Sequence, residues 1–314
     1  MIPRALRAAA WVVALTLAAN ASALAAPLTP LPPAAESFQA GSLHVDRYGN
    51  GATTLIFIPG LASGPWSWAE QIVHFSGSYR VYALTLSGFD GRPFVPQDDM
   101  LGTFSRDFWS LLDARHIVRP VVIGHSLGGT LALALAEQHP DRLSAAIALD
   151  GLPVFPPVAQ MSAEQRTAAA AGAAAQIRSQ TPAQVLAAET SYMQTATLDP
   201  ALVAPTAARE ARSDPAAIAA WMQADVSSDL RPALASATVP LLELMPYAAG
   251  GPYTEDQTVA FYRALLAGAP NLTVVPIEGA KHFAMLDQPA AVDAAIGRFL
   301  ATVAGATPSP TPHP

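Results

Sequence analysis

Short apolar runs alternate along this chain with amphipathic stretches, and the alternation lays out an order of strands and helices. Residues 42–48 alternate apolar and polar positions and are expected to open a sheet. Residues 53–58 form an apolar strand stopped by Pro59-Gly60, and 66–74 read as a helix. The strand at 80–86 ends at Ser87-Gly88. The segment 103–115 then places Phe104, Phe108, Leu111 and Leu112 on one helical face. Pro120-Val121-Val122-Ile123 is a buried-strand run, 130–137 is helix-forming, and 143–149 reads as the next buried strand, ending at Asp150-Gly151. The sheet resumes at 239–245. A helix follows over about 255–266, a last long strand over 271–277, and a final helix from Pro289, where proline suits a first helical position. Strands alternating with helices predict an α/β fold with a mostly parallel sheet.

Between 152 and 235 the pattern changes. This stretch is rich in Ala, Gln and Pro, contains no good strand, and is helical by propensity. It is expected to form a helical cap inserted into a core made of 42–151 and 236–304, with Leu186, Tyr192, Met193, Trp221 and Met222 supplying apolar faces to bury. The flanks read differently. Arg4 and Arg7, an apolar stretch over 8–19 and the small-residue site Ala23-Leu24-Ala25 make 1–25 a signal peptide pattern. The apolar stretch is shorter than the about 20 residues of a membrane-spanning helix, so the expectation is an exported, periplasmic or secreted protein with no stable membrane insertion after cleavage. Residues 26–41 read as a linker and the Pro-rich 305–314 as a disordered tail.

Composition narrows the chemistry. With 314 residues, 51% of them hydrophobic, the chain can bury a large core. The net charge of −7 comes without a basic run or stripe, which argues against a nucleic-acid partner. The absence of cysteine excludes disulfides, thiolate metal sites and a cysteine nucleophile. The histidines at 44, 74, 116, 139 and 313 show no metal-ligand spacing, and neither a metal nor a cofactor is implied.

The most informative segment is Gly124-His125-Ser126-Leu127-Gly128-Gly129, set between a strand run and a helix run. Strand, G-x-S-x-G, helix is a nucleophile elbow: the turn is so tight that bulk is excluded at Gly124 and Gly128, and the serine is held strained with its hydroxyl exposed. A serine hydroxyl is a weak nucleophile at neutral pH and needs an adjacent base. His282 lies on the loop after the last strand, on the same sheet edge as Ser126, and can take the proton.

With these residues in place, the chain from about 42 to 303 resembles the α/β-hydrolase superfamily. Phe57-Ile58-Pro59-Gly60-Leu61 looks like its oxyanion turn, with Pro59 where the family usually has His. The elbow and the segment Gly279-Ala280-Lys281-His282-Phe283 follow in the family's order. The resemblance implies an eight-stranded-type sheet, oxyanion donors from the backbone N–H groups of Leu127 and Leu61, and a carboxylate partner for His282. The family's usual place for that acid, after the strand that follows the cap, reads Met245-Pro246-Tyr247-Ala248-Ala249-Gly250-Gly251 and holds no carboxylate. Asp150, directly after the strand that follows the elbow helix, is the preferred acid. Asp256 or Glu255 is the alternative, and a bare Ser–His pair is a third arrangement.

The resulting expectation is an exported, cofactor-free serine hydrolase of carboxylesterase type acting on a small-molecule ester. Amide, peptide or carbon–carbon hydrolysis on the same groups is the alternative, and a non-catalytic small-molecule-binding relative is the alternative of another class. A serine at the elbow argues against dehalogenase or epoxide hydrolase chemistry, for which the resemblance would require an aspartate. Trp66, Trp68 and Tyr247 are divided between pocket lining and core, Asp287 is assigned to a helix cap, and Asp90 to a surface turn.

Overall fold

The computed structural model describes residues 28–306. The signal-peptide segment 1–25, the first two linker residues and the end of the tail lie outside them. The eight strands are β1 (Glu36–Ala40), β2 (Leu43–Tyr48), β3 (Thr54–Ile58), β4 (Arg80–Thr85), β5 (Val121–His125), β6 (Ala145–Leu149), β7 (Leu241–Tyr247) and β8 (Leu272–Glu278). They form one sheet in the order β1-β2-β4-β3-β5-β6-β7-β8. The β1–β2 and β2–β4 pairs are antiparallel, and the rest of the sheet is parallel.

Core helices α1 (Ala69–Ser76), α2 (Met100–Ala114), α3 (Leu127–Gln138), α8 (Glu255–Leu265), the single turn α9 (Ala284–Asp287) and α10 (Pro289–Ala306) cover both faces. A parallel strand buried on both sides reads as a near-continuous apolar run, and β3 shows it beyond Thr54: Ile56 and Ile58 pack in a core layer with α2, α3 and α8, while Leu55 and Phe57 pack in the opposite layer with α1 and α10. None of the described helices is long and apolar enough to cross a membrane.

Two expectations need correction. The sheet opens with β1, not at residue 42, so the expected linker 26–41 is partly structured. Phe38 and Ala40 pack on the core, and a tight turn with Gly41 at φ +58° reverses the chain into β2. At the other end α10 runs through Gly305 to Ala306, into the expected tail.

Between β6 and β7 the chain leaves the sheet as four helices: α4 (Ala163–Arg178), α5 (Pro182–Ala196), α6 (Pro200–Glu210) and α7 (Pro215–Ser227). Three begin with proline at the first position behind a capping side chain, from Thr181, Asp199 and Asp214. Met193 and Trp221 are buried as expected, and the indole N–H of Trp221 reaches Ser87 O at 3.3 Å. Leu186 and Tyr192, by contrast, are each 44% exposed.

Candidate active site

The candidate residues converge at the carboxyl ends of the central strands. β5 ends at His125, and Ser126 sits at φ +53°, ψ −120° before α3 begins. Its N–H donates to Leu149 O at 2.9 Å, tying the turn to β6. The turn closes only because its flanks are bare: a Cβ on Gly124 would lie 1.9 Å from Gly128 O, and one on Gly128 would lie 2.4 Å from Ile58 O. Leu127 is the first residue of α3, so helix geometry leaves its N–H without an intrahelical partner, at the positive end of the helix dipole.

Asp150 follows β6 at φ +50°, with its N–H on Leu244 O at 3.0 Å. Its Oδ2 lies 2.5 Å from His282 Nδ1, and Tyr262, projecting from α8, donates its hydroxyl to Oδ1. With Nδ1–H directed at a carboxylate, Nε2 is left as the basic nitrogen. Burial pushes the Asp150 carboxyl up, but the charge of His282 and the hydrogen bonds from His282 and Tyr262 outweigh it and hold Asp150 below its usual range. Asp256, the alternative acid, is exposed in the first turn of α8, where Thr254 rather than Asp256 is the cap, and Glu255 precedes it there. Tyr262 is the residue of that helix that reaches the site.

Two further groups fix His282. His125 is buried, and its Nε2 donates to His282 O at 3.0 Å, with the rings 4.6 Å apart. Burial, and next the charge of His282, drive the His125 pKa well below its usual value, so it is neutral. Asp287, expected to serve as a helix cap, instead bridges the histidine loop and the cap domain. Its Oδ2 accepts from Lys281 N at 2.9 Å and its Oδ1 from Leu198 N at 2.9 Å.

Two connected cavities, of about 270 Å³ and about 350 Å³, share Ser126, Leu127, Tyr192, Asp225 and His282 in their walls. The first is completed by apolar groups such as Leu61, Ile177, Ile218 and Met222. The second is completed by Thr130, Asp150, Leu152 and Val154, with Pro156 and Pro157 at its edge. Trp66 and Trp68 are core residues: both are buried, and Trp68 packs on Phe57 and His125. Asp90 is not a surface turn but is clamped by Arg209 and Arg212 of the cap domain, each at 3.2 Å.

Sequence reasoning missed Tyr262, Glu243, Glu189 and Asp225. Glu243 had a visible signal, a lone carboxylate inside the apolar strand β7. It is buried next to Asp150, and burial and then the charge of Asp150 push its pKa well up. Asp225 lines both cavities, and burial pushes it up to about 6.

A family model described as "Alpha/beta hydrolase family" matches residues 55–295. The chain belongs to the alpha/beta hydrolase family. Among relatives, it is 34% identical over 106 residues to "Probable esterase PIR7A" of Oryza sativa subsp. indica, covering 32% of this chain and 39% of that protein. It is 31% identical over 98 residues to Epoxide hydrolase 3 of Xenopus tropicalis, covering 31% of this chain and 27% of that one. The matches therefore span well under half the length of either relative. Among solved structures, a thermophilic esterase from Thermogutta terrifontis superimposes with a TM-score of 0.72 at 19% identity, over 86% of this chain and 99% of that one; at that identity the likeness speaks to the fold alone. Family membership supports hydrolytic chemistry for this alpha/beta hydrolase.

Proposed function

We propose that the protein is a serine esterase that cleaves a carboxylic ester through an acyl-enzyme on Ser126. His282 Nε2 takes the Ser126 proton as Oγ attacks the ester carbonyl, and the resulting oxyanion is held by the N–H groups of Leu127 and Leu61. Collapse of the tetrahedral intermediate breaks the bond to the alkoxy oxygen, which takes the proton from His282 and leaves as the alcohol. Water, deprotonated by His282, then attacks the acyl-enzyme; the acid departs and Ser126 regains its proton. Asp150 holds the imidazole in the correct tautomer and balances its positive charge. The observation that carries this reading is the 2.5 Å contact of Asp150 with His282 in the cleft that holds the elbow serine.

Opening an epoxide by the aspartate route is disfavoured because the elbow carries serine. The two cavities that meet at Ser126 suit the two halves of an ester, with the acyl or alcohol part of greater apolar area in the cavity lined by Ile177, Ile218 and Met222. Charge restricts the class further. Glu189 and Asp225 line the cleft, and no Lys or Arg does so among the described residues. A substrate carrying a carboxylate would meet like charge.

The test is hydrolysis of p-nitrophenyl acetate, butyrate and octanoate by wild type and by Ser126→Ala. Turnover in wild type, lost in the variant, is expected. Equal turnover in the two would overturn the reading. Among acyl chains of similar length, the p-nitrophenyl monoester of succinate is expected to show kcat/KM at least tenfold below the butyrate. Comparable values would contradict the charge argument.

The leader pattern of residues 1–25 supports export. The mature chain is expected to begin at Ala26, which N-terminal sequencing of the exported protein checks.

A further inference from the structure

The loop that presents the Leu61 N–H is strained, and its one internal turn bond, Ser63 N to Gly60 O at 3.2 Å, is joined by bonds from outside the loop. Ala62 sits at φ +58°, a conformation costly for a residue with a Cβ. The next loop along the sheet edge carries Asp90 at φ +45°. Buried Ala62 and half-buried Asp90 both meet one turn of the cap domain, the link between α6 and α7. There the Ser213 hydroxyl donates to Ala62 O at 2.7 Å and accepts from Asp90 N at 3.0 Å, bridging the two strained residues. One turn earlier, Glu210 Oε1 accepts from Ser63 Oγ at 2.7 Å. Ser63, Glu210 and Ser213 are all almost fully buried, with exposures of 0%, 1% and 3%. Water therefore cannot replace the Ser213–Ala62 and Ser63–Glu210 bonds without the cap lifting. The turn is itself braced on the core by Asp214 N donating to Gly88 O at 2.8 Å.

We propose that the α6–α7 turn is a positioning element for the oxyanion hole: Ser213, seconded by Glu210, sets the strained loop so that the Leu61 N–H points at the oxygen that develops on the substrate. The inference rests on the esterase reading above. Ser213 and Glu210 touch neither substrate nor reacting atoms; they act through Ala62 and Ser63. The turn is also felt at the cleft from the other side: burial, and next the charge of Glu189, a residue of the cleft wall, push the Glu210 carboxyl well up. Oxyanion donors act on the transition state and not on the bound ester, so misplacing one lowers kcat and leaves KM nearly unchanged.

The experiment compares wild type, Ser213→Ala, Ser213→Thr and Glu210→Gln on p-nitrophenyl butyrate. It measures kcat and KM separately, Ki for an alkyl trifluoromethyl ketone that forms a tetrahedral adduct on the serine, and Tm. Thr181→Ala, at the exposed cap of α5, controls for destabilisation of the cap domain that leaves the loop untouched. Ser213→Ala is expected to lower kcat on the order of 10–100-fold with KM within about twofold. Its ketone Ki should rise in parallel with the loss of kcat/KM. Ser213→Thr, which keeps the hydroxyl, should recover most of the activity, and Glu210→Gln should show a smaller loss of the same kind. Thr181→Ala should lower Tm without changing kcat. The proposal is overturned if Ser213→Ala keeps wild-type kcat, if its loss falls on KM alone, or if the threonine variant is as impaired as the alanine one. Active wild type with any of these results removes this proposal and leaves the esterase reading standing. Wild type inert to both ester and ketone removes both.

Discussion

At Asp150 three residues far apart in sequence hold one carboxylate in place. Leu244 fixes its backbone, His282 and Tyr262 bind its two oxygens, and Glu243 is buried beside it, its pKa pushed well up by burial and then by the charge of Asp150. Asp150→Asn is expected to lower kcat on the order of 10³–10⁴-fold, because the amide no longer enforces the imidazole tautomer; steady-state kinetics checks this. Tyr262→Phe removes one donor and should lower kcat by about 3–10-fold. It also has a signature in stability against pH. Asp150 titrates below its unfolded value, so its contribution is present above roughly pH 4 and lost as pH falls through the folded value. Tyr262→Phe narrows that shift, so the variant should lose Tm relative to wild type at pH 7, with the gap closing towards pH 3. A constant gap would mean that the hydroxyl only fills space. Ser126 and His282 could be located in the sequence because each sits in a local pattern of a few residues. Tyr262 could not: its partner is 112 positions away, and nothing in a helix sequence marks which tyrosine will face a carboxylate.

Among the elements, the cap domain and the histidine loop depend on a few polar contacts more than on propensity. Asp287 accepts two backbone N–H groups, one from each. Asp287→Ala leaves both without this partner and is expected to destabilise the fold by about 1–3 kcal/mol, with a fall in kcat as His282 loosens; urea titration and kinetics on one preparation test the pair of effects. The strands of the core were readable because burial on both faces favours near-continuous apolar runs. The cap was readable as helical, but not its contacts. The Thr-Pro and Asp-Pro pairs that start α5, α6 and α7 were a usable boundary signal. Strand β1 escaped because an edge strand needs only alternate buried positions, and Phe38 and Ala40 are too few to stand out. Asp90 looked like a turn residue because its arginine partners come from α6 and the α6–α7 turn, more than a hundred positions later.

For the whole molecule, the site is built by setting buried carboxyls against one another, and this makes stability fall with rising pH. Glu243 has its pKa raised well above the unfolded value of about 4.3. Its contribution is therefore complete below that value and is lost as pH climbs through the folded one. Glu243→Gln does not titrate, so its Tm relative to wild type should improve from pH 5 to pH 8. A difference that does not change with pH would show that Glu243 ionises as readily in the folded chain as in the unfolded one. The fold, its sheet order and the cleft all lead to one serine, and the most direct test of that claim is chemical. Wild type, Ser126→Ala and His282→Ala are treated with a fluorophosphonate, and the adduct is located by mass spectrometry of the digested protein. The account predicts a single phosphonyl group on Ser126 in wild type, none in Ser126→Ala and far slower labelling in His282→Ala. An unlabelled wild type, or a label carried by another residue, would contradict it.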